Sequence, residues 1–246
     1  MTLSAVEVNQ LKHAPPIEGV LPIILERWSP RAFADRDVDP ADLAKIFEAA
    51  RWAPSSFNEQ PWRFLVGLRN SETYEKIAAA LVPSNRQWAL HAPALILGVT
   101  KTRFSHNDTP NASAGHDLGA ASGFIALQAT ALGLQAHQMA GFDREKAREV
   151  FGIPEGYTLG SVIALGYQGD PSNLNDRFVA GEVAPRTRKP LSEIVLSAWG
   201  EPAKIGSSRR PKSVTTDARH PFSRAIRVKA GGVAFGQYKA SSTGTA

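Results

Sequence analysis

Pro54-Ser55-Ser56-Phe57-Asn58-Glu59-Gln60-Pro61-Trp62 separates a helical pattern from a strand pattern, and its reading decides the fold. Upstream, Asp39-Pro40 followed by Asp42 predicts a helix start: a capping carboxylate, proline at the first helical position and acid in the first turn. Leu43, Ile46, Phe47 and Ala50 then recur at i, i+3, i+4 and i+7, so that helix buries one face. Downstream, Arg63 to Leu68 reads as a buried strand. Two prolines, two serines and an asparagine stop the helix, and the Asn and Gln amides offer uncharged hydrogen-bonding groups. Polar, rigid loops between regular elements are where binding residues concentrate. Taken alone, the run fits a plain helix-to-strand turn equally well.

The same alternation continues outward. A short amphipathic helix from about Ser71 turns Tyr74, Ile77, Ala78 and Leu81 inward, and Ala94 to Val99 is a second buried strand. Ser113 to Leu132 is the longest helical pattern, crowded with small residues in its first half: Ala114, Gly115, Gly119, Ala120, Ala121, Ser122 and Gly123. Each glycine in a helix costs up to about 1 kcal/mol relative to alanine, so close approach of another element is expected. That element could belong to the same subunit or to a second one. Gly133 ends the helix, Gln135 to Met139 is a strand, Asp143 caps a helix over Arg144 to Val150, and Leu159 to Tyr167 is a further strand. Helices alternating with strands over residues 20 to 170 suit an α+β fold, with helices around a central mixed sheet.

The chain has 246 residues, 43% of them hydrophobic, enough for a sizeable core. It contains no cysteine, which excludes disulfides, thiolate catalysis and cysteine metal sites. The N-terminus lacks the basic and apolar regions of a signal peptide, and Pro93 to Val99 is far too short to span a membrane. A cytoplasmic protein is expected. The net charge of +5 is unevenly placed. Nine of the 28 lysines and arginines and two of the 23 acids follow Gly200, so the tail carries +7 and the first 200 residues −2. A high pI therefore says nothing about nucleic-acid binding by the body. Residues 1–17 read as a lead-in, 18–202 as the folded domain, and 203–246 as a basic, mostly disordered tail with too few apolar groups to offset its ordering.

Hydrolytic and metal motifs are missing: no Gly-x-Ser-x-Gly, no phosphate-loop Gly-x-x-x-x-Gly-Lys, no His-Glu-x-x-His. The six histidines, His137 among them, lack ligand spacing and are expected to be satisfied or exposed.

A second segment, Arg27-Trp28-Ser29-Pro30-Arg31-Ala32-Phe33, changes the weight of the first. With the Pro54–Trp62 run, with Met139-Ala140-Gly141-Phe142-Asp143 and with Arg186-Thr187-Arg188-Lys189-Pro190, it resembles the FMN-dependent nitroreductase family, four motifs in the family's order across residues 18 to 200. The resemblance implies a homodimer with its C-terminal segment exchanged between subunits and two FMN sites at the interface. Arg27, Arg186 and Arg188 would clamp the FMN phosphate, a dianion well matched by guanidinium forks. Trp28 and Ser29 would line the site, Ser29 bonding the pyrimidine edge or ribityl chain. Arg31 would stabilise the negative charge that reduction places near N1 and O2. Pro54, Ser55, Ser56 and Asn58 would reach the flavin of the neighbouring subunit. Asn85 would face the ring, next to Met139 and the backbone N–H groups of Ala140 and Gly141.

The implied activity is hydride transfer from NADH or NADPH through flavin N5 to a nitroaromatic, quinone or similar electron-poor acceptor, in a ping-pong scheme with no dedicated acid–base residue. Relatives also reduce carbonyls, dehalogenate or fragment flavin. A rival reading is a non-enzymatic protein using its basic tail on nucleic acid or an anionic surface. Departures from the family pattern are Trp88 where some members carry lysine, Ala140 where some carry an acid, and a short stretch over residues 103–110.

Overall fold

The computed structural model describes residues 3–206. Its centre is a sheet of four strands, β1 (Trp62–Leu68), β2 (Ala94–Lys101), β3 (Leu134–Met139) and β4 (Tyr157–Tyr167), in the order β1-β2-β4-β3. Each neighbouring pair is antiparallel. The expected mixed sheet is therefore corrected: among the described residues the sheet is wholly antiparallel. The reason lies in one insertion. β2 and β3 run in the same direction, as a helical crossover between them demands, but β4 lies between them and runs against both.

Side-chain alternation along β2 splits the core in two. Leu95, Leu97 and Val99 enter one cluster with Tyr74, Ile77, Leu81 and Trp88, while Ala94 and Ile96 enter another with Ile46, Leu118, Ile125 and Ile163. The first face is covered by α4 (Glu72–Ala80), α5 (Pro83–Ala89) and α7 (Arg144–Phe151), the second by α3 (Pro40–Arg51) and α6 (Ala114–Ala131). The caps that the sequence predicts at Asp39 and Asp143 are present, and Ser71 supplies a third. Asp39 accepts from the Ala41 N–H, Ser71 from Tyr74 and Asp143 from Lys146. α5 is an element that the sequence reading lacks, although Pro83 at its first position is a start signal.

Helix α1 (Ala5–Lys12) falls within the stretch read as a lead-in. It is closed by a capping box between Ser4 and Glu7 and tied to the domain by Lys12, whose Nζ donates to the carbonyls of Gly181 and Ala184 at 2.8 and 2.5 Å. α2 (Pro22–Glu26) leads into the Arg27 segment, and α8 (Asp176–Val183) precedes the C-terminal run. A small hairpin, β5 (Leu196–Ala198) with β6 (Glu201–Pro202), carries the fully exposed Trp199. The expectation for the tail lies, from residue 207 on, outside the described residues. No described helix is long and apolar enough to cross a membrane.

Candidate functional site

The segment after α2 is laid along the end of β4. Ala34 N–H donates to the Tyr167 carbonyl and Gly169 N–H to that of Ala32, both at 2.9 Å, and Phe33 bridges Gln168. Phe33 is buried and stacks on Trp88, their centroids 6.4 Å apart. So anchored, residues 27–31 face a cavity of about 220 Å³ lined by Lys12, Arg27, Trp28, Ser29, Arg31, Glu182, Arg186 and Arg188. Five cations and one carboxylate surround it. Arg27, Arg186 and Arg188 come from opposite ends of the domain, yet meet here as expected.

The electrostatics fit an anion. Burial and the nearby Arg188 lower the Arg27 guanidinium from its usual range, and Arg186 is lowered by burial, Arg188 and Arg27 in that order. Like charges held this close leave a field that an anionic ligand relieves. Arg186 donates to the backbone carbonyls of Arg27 and Leu25, and this fixes its fork. Its Nε is buried with no hydrogen-bond partner. A phosphate dianion is the chemistry this donor set suits. Trp28 lines the cavity, but its indole N–H is already given to Asn9 at 2.8 Å, with Lys12 5.0 Å from the ring. Its part is to hold α1 against the site.

A second group lies beside the first. Asn85 Nδ2 donates to the Gly141 carbonyl at 2.9 Å, next to buried Met139 and exposed Ala140. A Cβ on Gly141 would stand 2.6 Å from Asn85 Nδ2 and 3.0 Å from Val82 Cγ2. Within the chain, then, the ends of these two side chains crowd that position. Trp88 links the two groups: it is buried, packs on His137 at 4.4 Å between centroids, and has the Arg31 guanidinium 5.8 Å away. His137 is held through Nδ1 to the Pro30 carbonyl at 2.8 Å. Burial, partly offset by that bond, holds its imidazole down to about 4, so it is neutral at physiological pH and donates through Nδ1.

The Pro54–Asn58 loop is not brought to the cavity. Ser55 Oγ accepts from Gln60 N–H, and Ser56 N–H donates to buried Asp117 on α6 at 3.1 Å. Glu59 accepts from the N–H and hydroxyl of Ser105, which lower its pKa. Phe57, Asn58 and Gln60 all take left-handed φ, near 50°. For Phe57 and Gln60 this costs roughly 1–2 kcal/mol each, whereas asparagine visits the region more readily. Phe57 is 81% exposed, touching Phe104 and His106. Pro54 and Asn58 are exposed and Ser55 and Ser56 half-buried, and none of the four lines the cavity.

Sequence reasoning missed Lys12, Asp117, His137 and Glu182. Two had a readable signal: Lys12 shares the buried face of α1 with Val8, four residues back, and Glu182 shares that of α8 with Phe178.

This arrangement defines an α+β protein with a cationic cavity beside one end of an antiparallel sheet. The family model described as "Nitroreductase family" matches residues 24–87 and 80–167, and the chain belongs to that family. A provisionally named NADH dehydrogenase/NAD(P)H nitroreductase of Archaeoglobus fulgidus is 34% identical over 169 residues, covering 66% of this chain and 94% of that protein. One of the same provisional name from Methanothermobacter thermautotrophicus is 36% identical over 163 residues, covering 65% and 82%. Among solved structures, an oxidoreductase containing FMN superposes with a TM-score of 0.71 at 32% identity, covering 79% of this chain and 97% of that one. A provisional nitroreductase in complex with FMN from Desulfovibrio desulfuricans gives 0.60 at 25%, covering 74% and 98%.

Proposed function

We propose that the protein is a homodimeric FMN-dependent NAD(P)H oxidoreductase acting on electron-poor acceptors such as nitroaromatics and quinones. One observation carries the reading. Arg27, Arg186 and Arg188 converge with Lys12 and Arg31 on one cavity, and the buried Arg186 Nε has no hydrogen-bond partner in the chain. FMN, when bound, supplies the two-electron chemistry between NAD(P)H and the acceptor, which would use the same face in turn. The chain's own residues bind and orient. Arg27, Arg186 and Arg188 hold the phosphate, Ser29 the polar edge of the cofactor, and Arg31 offers a cation where negative charge develops. Relatives named as NAD(P)H nitroreductases and structures containing FMN support the assignment.

Dimerisation is supported by α6. Gly115, Gly119 and Gly123 recur every four residues on one face, and a Cβ added at any of them meets nothing within 4 Å. Packing within the chain therefore does not account for them. A second copy on this face would, and it would carry the Pro54–Asn58 loop, tied to α6 through Asp117, toward the partner's cavity. Exchange of the C-terminal run between copies belongs to the same reading, with exposed Trp199 as its outlying anchor.

The test is direct. Purified protein should carry FMN, visible in its absorbance, and oxidise NADH or NADPH only when an electron-poor acceptor is present. A colourless protein that neither takes up added FMN nor oxidises either nucleotide would overturn the reading.

A further inference from the structure

The cavity holds one carboxylate, that of Glu182, to which the binding roles above assign nothing. It is 1% exposed, on α8. Its Oε1 accepts from the N–H groups of Arg31 and Ala32, both at 2.9 Å, and its Oε2 lies 3.1 Å from the same Arg31 nitrogen. No Lys or Arg nitrogen among the described residues comes within ion-pair distance of it. Burying a carboxylate without a paired cation costs several kcal/mol. Two backbone donors offset part of that cost. The rest must come from the field of the cations around it, Lys12, Arg27, Arg31, Arg186 and Arg188.

Such an interaction is reciprocal. If the cations stabilise the Glu182 charge through the cavity, that charge reduces the positive field they present there. The neighbourhood agrees. Burial holds the Lys12 ammonium below its usual range; Glu182 offsets this as a favourable charge, and Arg186 and Arg31 add to it as unfavourable ones. Arg31 Nη1 lies 4.0 Å from where a Cβ on Gly181 would stand, which places the guanidinium beside α8. A neutral acceptor such as glutamine could supply an oxygen to the Arg31–Ala32 backbone. A carboxylate adds a charge that the capping task does not require.

We propose that Glu182 is a positioning residue of the cofactor site: its carboxylate pins the Arg31–Ala32 backbone and sets how strongly the cavity favours the reduced, more negative cofactor. The inference rests on the FMN reading above. It concerns relative affinity for two redox forms, where the clamp concerns affinity as such.

The experiment compares wild type, Glu182→Gln and Glu182→Asp as full chains. The readouts are FMN stoichiometry, the dissociation constant of oxidised FMN, and the midpoint potential by equilibration with a reference dye. Glu182→Gln keeps the shape and removes the charge. It should retain FMN while its affinity for reduced over oxidised FMN rises about tenfold, a positive shift of about 30 mV for a two-electron couple. Glu182→Asp keeps the charge and should stay near the wild-type potential, with weaker FMN binding because the shorter side chain withdraws from the Arg31 N–H. A Glu182→Gln protein that holds FMN at unchanged potential would reduce Glu182 to a backbone cap and overturn the proposal. Should that variant fail to fold, Lys12→Met decides from the opposite sign: removing a cation from the same cavity must lower the potential, and an unmoved potential overturns the idea. A wild-type chain that binds no FMN defeats the flavin reading itself.

Discussion

Two segments of this chain, residues 27–33 and 54–62, fold in opposite ways. The first is stitched along β4, buries Trp28, Ala32 and Phe33, and turns its arginines into a cavity shared with Arg186 and Arg188. The second holds three left-handed non-glycine residues and displays Phe57 to solvent. One is folded into the wall of a cationic cavity. The other is a strained, outward-facing loop kept in shape by Asp117 and by the Glu59–Ser105 bonds. Strain of this kind persists only where the surroundings over-determine it, and it concentrates at binding sites. The contrast points to a site completed by two copies, each supplying the half the other lacks.

The most severe way to break that picture is to block the contact between copies. Gly119→Trp places an indole on the open face of α6. It should leave a folded monomer in light scattering and abolish FMN binding, although residues 27–31 are untouched. A monomer that binds FMN as tightly as wild type would mean that the loop contributes nothing.

Acid should act on the first segment more than on the second. The folded pKa of His137, about 4, is below the unfolded value near 6.5, so the unfolded chain binds the extra proton first. The stabilisation is fully present above about pH 6.5 and is lost as pH falls toward 4, on the order of 3 kcal/mol. Subtracting the pH–stability curve of His137→Gln from that of wild type should isolate this window. Parallel curves would show that the imidazole is not buried neutral beneath Pro30.

Next in size is the clamp itself. Losing a hydrogen bond to a charged partner costs about 1.5–3 kcal/mol, so Arg27→Ala or Arg188→Ala should weaken FMN roughly 10- to 100-fold in a fluorescence titration. Equal affinity in wild type and variant would dissolve the cluster as a binding unit. The smallest effect is expected from the tail. A chain ending after Pro202 should keep FMN and NAD(P)H oxidation near the full rate, whereas loss of either would make the removed residues part of the site.

Much of this was legible from residue order. The strands at 62–68 and 94–101, the capped helices at 40–51 and 72–80 and the small-residue helix at 114–131 all follow from periodicity and caps. The sheet's antiparallel character did not, because insertion of β4 between β2 and β3 is a long-range choice that no local pattern encodes. Of the site, the arginines were legible as a resemblance and the structure brings them together. Glu182 and Lys12 were legible only as charged residues on buried helical faces. A charged residue on an apolar helical face acquires meaning only when the partner element is known, here the Arg31–Ala32 backbone for one and the end of α8 for the other.

The central claim, that each site is built from two chains, is tested most directly by complementation. One chain carries Arg27→Ala with Arg188→Ala, the other Ser56→Ala with Asn58→Ala, and each alone should bind FMN poorly. Mixed and refolded together, they should form dimers with one intact site, and FMN affinity in that fraction should return to the wild-type value. If the mixture binds no better than its two parents, the halves do not meet across copies and the account is wrong.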